Sequence, residues 1–424
     1  MKTSNRKISL LTFSLLIAVS VLLSLAGCNN AVPEQASPAE EVVVAEDTVA
    51  AEETDVAEET AEDEHAELLK SLNIQKVEEY LYTATVEDYD YSYGLERSAA
   101  LFKAGGCAAI RNGDFRGRNY DWTYDDLAYF VIYTPAKEGR HAVLGVSGSI
   151  SSLTAEVVDS GEWSDGYKSL AFSTLDGVND AGVVCNILVV PSGEAGITSG
   201  SNPGCEDLSA TMVDRYVLDY AGSVDEAVEL LKNRNIYMPH TEYMDQEFHW
   251  MISDPERTVV VEFVDNEMVV LEGEEIVTNF YLYNFDKTGE TVQRIPEGIE
   301  RYNIIKDGYG TTSTSEGMME MLQSIRYSKC YDLGTVPFWY SEYSGGELDS
   351  SMFGEDDISD GDLTRAGGYA DVIGKGQANW ALGRNNNTWI TVFSAVYDMK
   401  NLTLSICPQE NDTVYEYSLA SFPG

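Results

Sequence analysis

The chain has 424 residues, 44% hydrophobic and 11% aromatic, enough to bury a large core and long enough for more than one domain. Its formal charge of −44 at pH 7 argues against nucleic acid as a partner, because so acidic a surface repels phosphate backbones. The six cysteines include no C-x-x-C pair and the four histidines are scattered, so the sequence calls for no metal and no cofactor.

At the front, Lys2, Arg6 and Lys7 precede an uncharged apolar run from Ile8 to Gly27, the pattern of a secretory signal. The run ends in Leu25-Ala26-Gly27-Cys28, which resembles the lipobox of bacterial lipoproteins, where the cysteine is lipidated and becomes the new N-terminus. Residues 1–27 are read as a lipoprotein signal peptide and Cys28 as the lipidation site. A plain membrane anchor is the alternative, since about twenty apolar residues can span a bilayer. Either way the protein is expected outside the cytoplasm, and on the first reading it is lipid-anchored at the bacterial cell surface. Residues 28–67 are rich in Ala, Val, Glu, Thr and Pro and contain no Lys or Arg. Such a segment buries too little apolar surface to offset its ordering entropy and reads as a disordered, self-repelling tether.

Residues 68–106 have mixed charge and a short helical pattern around Leu68, Leu69 and Leu72, then Val77, Tyr80 and Leu81. They are too few for a domain. They either begin the catalytic domain or form a pro-segment that packs against it and is cut away, and the boundary is set at 106/107. From Cys107 onward short Val- and Ile-rich runs read as strands: Ala142 to Ser147, Val183 to Val190, Thr258 to Val264 and Met268 to Leu271. Trp389 to Tyr397 and Leu402 to Cys407 read as a closing hairpin with one face buried. Helices are expected over Leu208 to Tyr220, from the Ser223-Val224-Asp225-Glu226 capping box through Lys232, over Glu297 to Lys306 and over Glu316 to Ile325. Antiparallel strands interrupted by helix pairs give an α+β class in which helices cover sheets. Ser192 to Pro203 and Tyr340 to Gly368 read as long surface loops. Cys185, Cys205, Cys330 and Cys407 remain for disulfides, and their spacing fixes no pairing. The sequence leaves oligomerisation open.

The chemistry centres on Gly105 to Trp122, GGCAAIRNGDFRGRNYDW. A cysteine hydrolase needs a thiolate, a base and donors for the oxyanion. His249 lies in an apolar strand-like run and reads as a core residue with a satisfied hydrogen bond; the other histidines read as surface or loop residues. A cut between Gly106 and Cys107 would instead give Cys107 a free α-amino group, with a reference pKa of about 7.7–8.0, as its own base.

Four motifs then resemble the choloylglycine hydrolase, penicillin V acylase and acid ceramidase family, linear-amide hydrolases of the N-terminal-nucleophile class. In Gly117-Arg118-Asn119-Tyr120-Asp121-Trp122, Arg118 and Asp121 stand where the family has its catalytic Arg and Asp. Asp121 would orient the α-amino group of Cys107, and Arg118 would favour the thiolate. Asp176-Gly177-Val178-Asn179-Asp180-Ala181-Gly182 is similar to a family turn leading into a core strand. Val277-Thr278-Asn279 is similar to the strand end whose Asn donates to the oxyanion. Glu300-Arg301-Tyr302 is similar to the segment that supplies a second catalytic Arg. The closing hairpin, Thr391 to Cys407, matches the family's last strands and is assigned no chemistry.

The position that is Asn in bile salt hydrolases and Tyr in penicillin V acylases falls on Val189. Its backbone N–H remains a candidate oxyanion donor, and Asn186, an odd offset away on a strand, is no simple replacement for the missing side chain. The resemblance implies a four-layer αββα sandwich over residues 107–424 and hydrolysis of a small-molecule linear amide by Cys107 after self-cleavage. Conjugated bile acids, penicillin V, acyl homoserine lactones and N-acyl lipids are the substrate candidates. The alternatives are a papain-like cysteine peptidase with His249 or His240 as base, and a non-catalytic ligand-binding lipoprotein.

Overall fold

The structure is a computed structural model that describes residues 52–98, 107–123, 126–137, 139–191, 196–239, 246–283, 298–326, 328–331, 387–408 and 412–422. The chain starts with helix α1 (Glu52–Ser71), strands β1 (Gln75–Glu78) and β2 (Leu81–Thr85) and helix α2 (Tyr91–Arg97). Cys107 is the first residue of β3 (Cys107–Asn112), which turns through Gly113 into β4 (Phe115–Thr123). β5 (Tyr129–Thr134), β6 (Val143–Ser147), α3 (Ala155–Ser160), β7 (Thr174–Asn179) and β8 (Val184–Pro191) follow. After β9 (Glu206–Ser209) come α4 (Val213–Tyr220), α5 (Val224–Lys232) and β10 (Arg234–Tyr237). β11 (Gln246–Ser253), β12 (Thr258–Val264), β13 (Glu267–Glu272) and β14 (Ile276–Val277) lead to α6 (Gly298–Gly308) and α7 (Ser315–Ser324). β15 (Ser328–Tyr331), β16 (Asn387–Asp398), β17 (Thr403–Pro408) and β18 (Tyr415–Ser418) complete the order.

Among the described residues, nine strands form one sheet in the order β1-β2-β5-β6-β7-β8-β11-β12-β13. A second, seven-stranded sheet runs β14-β3-β4-β16-β17-β18, with β15 paired to β16. The sheets face each other: Arg118 on β4 and Tyr397 on β16 both bond Asp176 on β7. Helices cover the outer faces. α4 packs on β7 and β8, while α6 lies on β3 and α7 on β4 and β16. This is the expected four-layer αββα arrangement. Sheets buried on both faces explain why β8 and β12 are apolar runs without alternation, and why a whole strand such as β7 is buried. Gly117 lets α7 approach closely, since a Cβ there would stand 2.7 Å from the Met318 sulfur.

The sequence expectations fail where two patterns look alike. Disorder is expected throughout residues 28–67, but Glu52 to Glu67 belong to α1; Ala and Glu are strong helix formers, and Leu68, Leu69 and Leu72 dock its end on the core around Tyr82 and Phe130. The helical pattern through Val77, Tyr80 and Leu81 resolves into β1 and β2, because Asn73 and Tyr80 take positive φ (45° and 65°) and turn the chain. The helix expected over Leu208 to Tyr220 is divided. Its first residues pair as β9 in parallel with β10, and a 3₁₀ turn over Ala210–Met212 precedes α4. The Ser223 box forms, with Ser223 Oγ accepting from Glu226 N–H at 3.2 Å, but the Glu226 carboxylate reaches back to Gly222 N–H rather than Ser223. Asp176, Gly177 and Val178 lie within β7, so the predicted turn is confined to Asp180–Gly182. The signal region with Cys28, the tether before Glu52, the loop Tyr340 to Gly368 and His240 lie outside the described residues.

β1 and β2 are strands of the nine-stranded sheet, not an appendage to it. β2 pairs with β5 over five residues, and Leu81, Tyr82 and Ala84 are buried. Tyr89 and Tyr91 donate to Asp219 of α4, at 2.8 and 2.7 Å. Cutting the chain between 106 and 107 would leave these contacts in place. If the chain is cut at 106/107 with the 28–106 piece held on a membrane, a high-salt wash without detergent is therefore expected to release little of the 107–424 chain; Tyr82→Ala, which removes a buried ring for about 3–5 kcal/mol, is then expected to increase the released fraction.

Candidate functional site

Alternation along β4 sorts the site. Arg116, Arg118 and Tyr120 point between the sheets, while Gly117, Asn119 and Asp121 point toward α6 and α7. Cys107 lies opposite Tyr120 on β3 and shares the inner side, fully buried. Its sulfur accepts from Arg118 Nη2 at 3.3 Å. Arg118 also donates to the carbonyls of Leu175 and Ile187, the latter at 2.9 Å, and to Asp176 Oδ2 at 2.7 Å. One guanidinium thus ties the cysteine to β7 and β8 of the facing sheet. Burial pushes the Cys107 thiol above its ordinary range, opposed first by the positive charge of Arg118. Burial also works against the Arg118 charge, but the adjacent sulfur and the Asp176 carboxylate outweigh it and keep the guanidinium ionised.

Asn279 follows β14, and its side chain bridges the two sheets. Its Oδ1 accepts from the Cys107 N–H at 2.7 Å, and its Nδ2 donates to the Val189 carbonyl at 2.8 Å. Two expectations are modified here. In the intact chain the nitrogen of Cys107 is held by Asn279 and not by Asp121, since Asp121 projects from the other face of its strand. Val189 presents its carbonyl to the site, and the observed contact is to that oxygen rather than to its N–H.

Asp121 is bonded by Arg301 from α6 and by Thr391 Oγ1 at 2.5 Å from β16. Arg301 is almost wholly buried, and among the described residues its Nε and Nη2 have no hydrogen-bond partner. Its charge acts on the Cys107 thiol in the same sense as that of Arg118. Cys107, Arg118, Asp121, Asn279, Arg301 and Val189 are therefore gathered from five separate stretches of chain.

Other polar residues belong with them. Asp176, read from the sequence as part of a turn, is the carboxylate partner of Arg118 and also accepts from the Tyr397 hydroxyl. Thr391 and Tyr397 come from the hairpin to which the sequence assigns no chemistry. The available signal was a buried carboxylate beside Gly177 in a strand, since Asp without a partner is costly there. His249 is fully buried and its Nδ1 lies 3.1 Å from Glu262 Oε1, which also accepts from Leu282 N–H. Its described hydrogen bond is to that glutamate and not to Cys107. Among the described residues Cys107, Cys185, Cys205 and Cys407 are in no disulfide, and the side chain of Cys330 lies outside the described residues. Among the described residues no group of three His, Cys, Asp or Glu side chains is arranged to hold a metal ion.

A penicillin V acylase from Pectobacterium atrosepticum is 28% identical over 171 residues, which is 38% of this chain and 44% of that protein, so the chain spans less than half of its relative's length in the match. A mutant conjugated bile acid hydrolase from Clostridium perfringens superposes with a TM-score of 0.44 and 13% identity, over 75% of this chain and 95% of that one. Penicillin V acylase from Agrobacterium tumefaciens superposes with a TM-score of 0.41 and 17% identity, over 74% and 86%. Residues 111–289, which contain Arg118, Asp121, Asp176, Val189 and Asn279, match the sequence model of the linear amide C–N hydrolases, choloylglycine hydrolase family.

Proposed function

We propose that the chain is the precursor of an extracytoplasmic hydrolase of linear, non-peptide amides, lipid-anchored through Cys28, that cuts itself before Cys107 and uses that cysteine as an N-terminal nucleophile. The observation that carries the reading is the Cys107 sulfur 3.3 Å from a guanidinium that is itself anchored on Asp176, with the Cys107 nitrogen bonded to Asn279 at 2.7 Å. Nucleophile, positive charge and a side-chain amide converge on one residue whose nitrogen becomes an amine once the preceding peptide bond is cut.

In the proposed reaction the Cys107 sulfur attacks the amide carbonyl carbon as the thiol proton passes to the α-amino group. The carbonyl oxygen becomes an oxyanion. Asn279 Nδ2 has a second hydrogen for it beyond the one given to Val189, and the Val189 N–H is a further candidate. The C–N bond breaks as the α-ammonium group returns its proton to the leaving nitrogen, and a thioester remains. Water adds to the thioester carbon, gives a proton through the same amine to the departing sulfur, and the acid is released. Arg118 favours the thiolate, while Arg301 and Thr391 hold Asp121 beside the strand end. Conjugated bile acids, penicillin V, acyl homoserine lactones and N-acyl lipids all present such a bond. Valine at 189 lacks the polar side chain that marks the first two specificities and moves the preference toward the others.

Purified active protein is expected to contain a chain starting at Cys107 by N-terminal sequencing and intact mass; an active, folded protein that never starts there would falsify the self-processing mechanism. Arg118→Lys, which keeps a positive charge beside Asp176 but loses the planar fork that also reaches the Cys107 sulfur, is expected to lower kcat/KM by about 10²-fold or more, the scale for loss of one preorganised charged donor. Asp176→Asn leaves Arg118 buried without its carboxylate and is expected to lose about 3–5 kcal/mol of stability as well as activity, read by denaturant melts beside rate measurements.

A further inference from the structure

Next to the Arg118–Asp176 pair lies a second set of inward-facing groups that the proposed reaction does not use. Arg116 precedes Arg118 by two residues on β4 and shares its inner face. It is fully buried, yet among the described residues its Nε and Nη1 have no hydrogen-bond partner, and Nη2 makes only a 3.4 Å contact to the Met251 carbonyl on β11. Asn186 stands across from Met251 in the β8–β11 ladder and across from Asp176 in the β7–β8 ladder, so it faces the same seam. It too is fully buried, with neither Oδ1 nor Nδ2 hydrogen-bonded among the described residues. Tyr397 faces Arg116 in the β4–β16 ladder and spends its hydroxyl on Asp176.

Charge separates this set from an ordinary polar gap. Arg118 is neutralised by Asp176, whereas the corresponding residue beside Arg116 is the neutral Asn186. Two guanidinium groups therefore share one carboxylate. The other charged groups nearby are committed elsewhere: Glu262 to His249 and two backbone N–H groups, and Arg111 to Glu275. The Cys107 sulfur lies on Arg118, and burial favours its thiol form. Burial likewise pulls Arg116 down to about 9, with Arg118 and Arg111 adding to the repulsion and Cys185 and Asp176 opposing it. At neutral pH the guanidinium remains charged. A buried charge in a folded protein is paired, because leaving it bare costs several kcal/mol. Turning the Asn186 amide would satisfy one N–H but would leave the charge.

We propose that Arg116 and Asn186 form a binding site for one small monovalent anion of the halide class, held between the two sheets by the Arg116 Nε and Nη1 hydrogens and the Asn186 amide. Full burial and the single excess charge select a singly charged, weakly hydrated ion over phosphate or sulfate. The anion completes the packing of the two sheets beside the Arg118–Asp176 link and leaves Arg118 to its own partners.

The test is thermal melting of the full-length protein in sodium gluconate, with chloride titrated in at constant ionic strength. The wild type is expected to melt higher with chloride in a saturable way, following the mass-action form for a ligand that binds only the folded state. Arg116→Met should melt at the same temperature in both salts. Asn186→Leu, which keeps the guanidinium and guards against a poorly folded arginine variant, should need about tenfold more chloride for half the effect, the scale of one hydrogen bond to a charged group. Crystals grown in bromide should show an anomalous peak within hydrogen-bonding distance of Arg116. Identical melting of the wild type in gluconate and chloride overturns the proposal, whether water or a Cys185 thiolate then meets Arg116. So does a chloride effect that Arg116→Met and Asn186→Leu both retain in full.

Discussion

The contact on which the rest depends is the guanidinium of Arg118 between the two sheets. It touches the Cys107 sulfur, the Asp176 carboxylate and two main-chain carbonyls, one on β8 and one at the start of β7. A charge buried this deeply persists only where a carboxylate and oriented carbonyls replace its water. The seam between the sheets is therefore organised around one cation, and the cysteine occupies part of its coordination. This makes the fold and the chemistry inseparable at this point. β4 must present alternate residues inward, β7 must carry an aspartate on its inner face, and the outer helices must fill the other side so that no water reaches the pair. Gly117 meets the last demand by letting Met318 and Leu322 of α7 close over the back of the strand.

Asn279 makes the second link of the same kind, with weaker groups. Its oxygen holds the Cys107 N–H and its amide holds the Val189 carbonyl, so the start of β3 is fastened to β8 through one side chain. An asparagine suits the position because it offers both an acceptor and a donor, whereas aspartate would offer two acceptors. Arg301 and Thr391 then fix Asp121 on the outer face of β4. The ends of β3 and β4 are thus clamped from both sides, by Asn279 within and by the Arg301–Asp121–Thr391 group without.

Much of this was legible in the amino-acid order because the informative residues lie in short, dense motifs. Arg118 and Asp121 follow Cys107 within one hairpin, and a hairpin fixes their faces by alternation alone. Strands such as Thr258 to Val264 were legible because β-branched runs bounded by polar turns have few other readings. What escaped depends on partners distant in sequence. Asp176 looks like a turn residue until Arg118 is seen opposite it, and nothing local distinguishes it from the many other acidic residues of this chain. Thr391 and Tyr397 look like hairpin residues for the same reason. Leu208 and Ser209 continue the helical spacing of Ala210 to Tyr220, and only pairing with β10 pulls Glu206 to Ser209 into a strand. The helix α1 escaped because composition was weighed over the whole segment, and its Ala- and Glu-rich end differs in propensity from the Pro-containing start.

On the proposed reading, the intact chain and the cut chain place different demands on the same nitrogen. Before the cut, Cys107 N is an amide with one hydrogen, and Asn279 Oδ1 accepts it. After the cut it is an amine that gains hydrogens and a lone pair, while the sulfur and its guanidinium need not move. Nothing in the seam has to rearrange for the base to appear, because β1 and β2 stay paired on the far side of the nine-stranded sheet and continue to cover the core around Phe130. A precursor built this way can be fully folded while still lacking its catalytic base. Folding and activation become separate events, and the second consists of breaking one peptide bond in front of a residue whose neighbours are already in position.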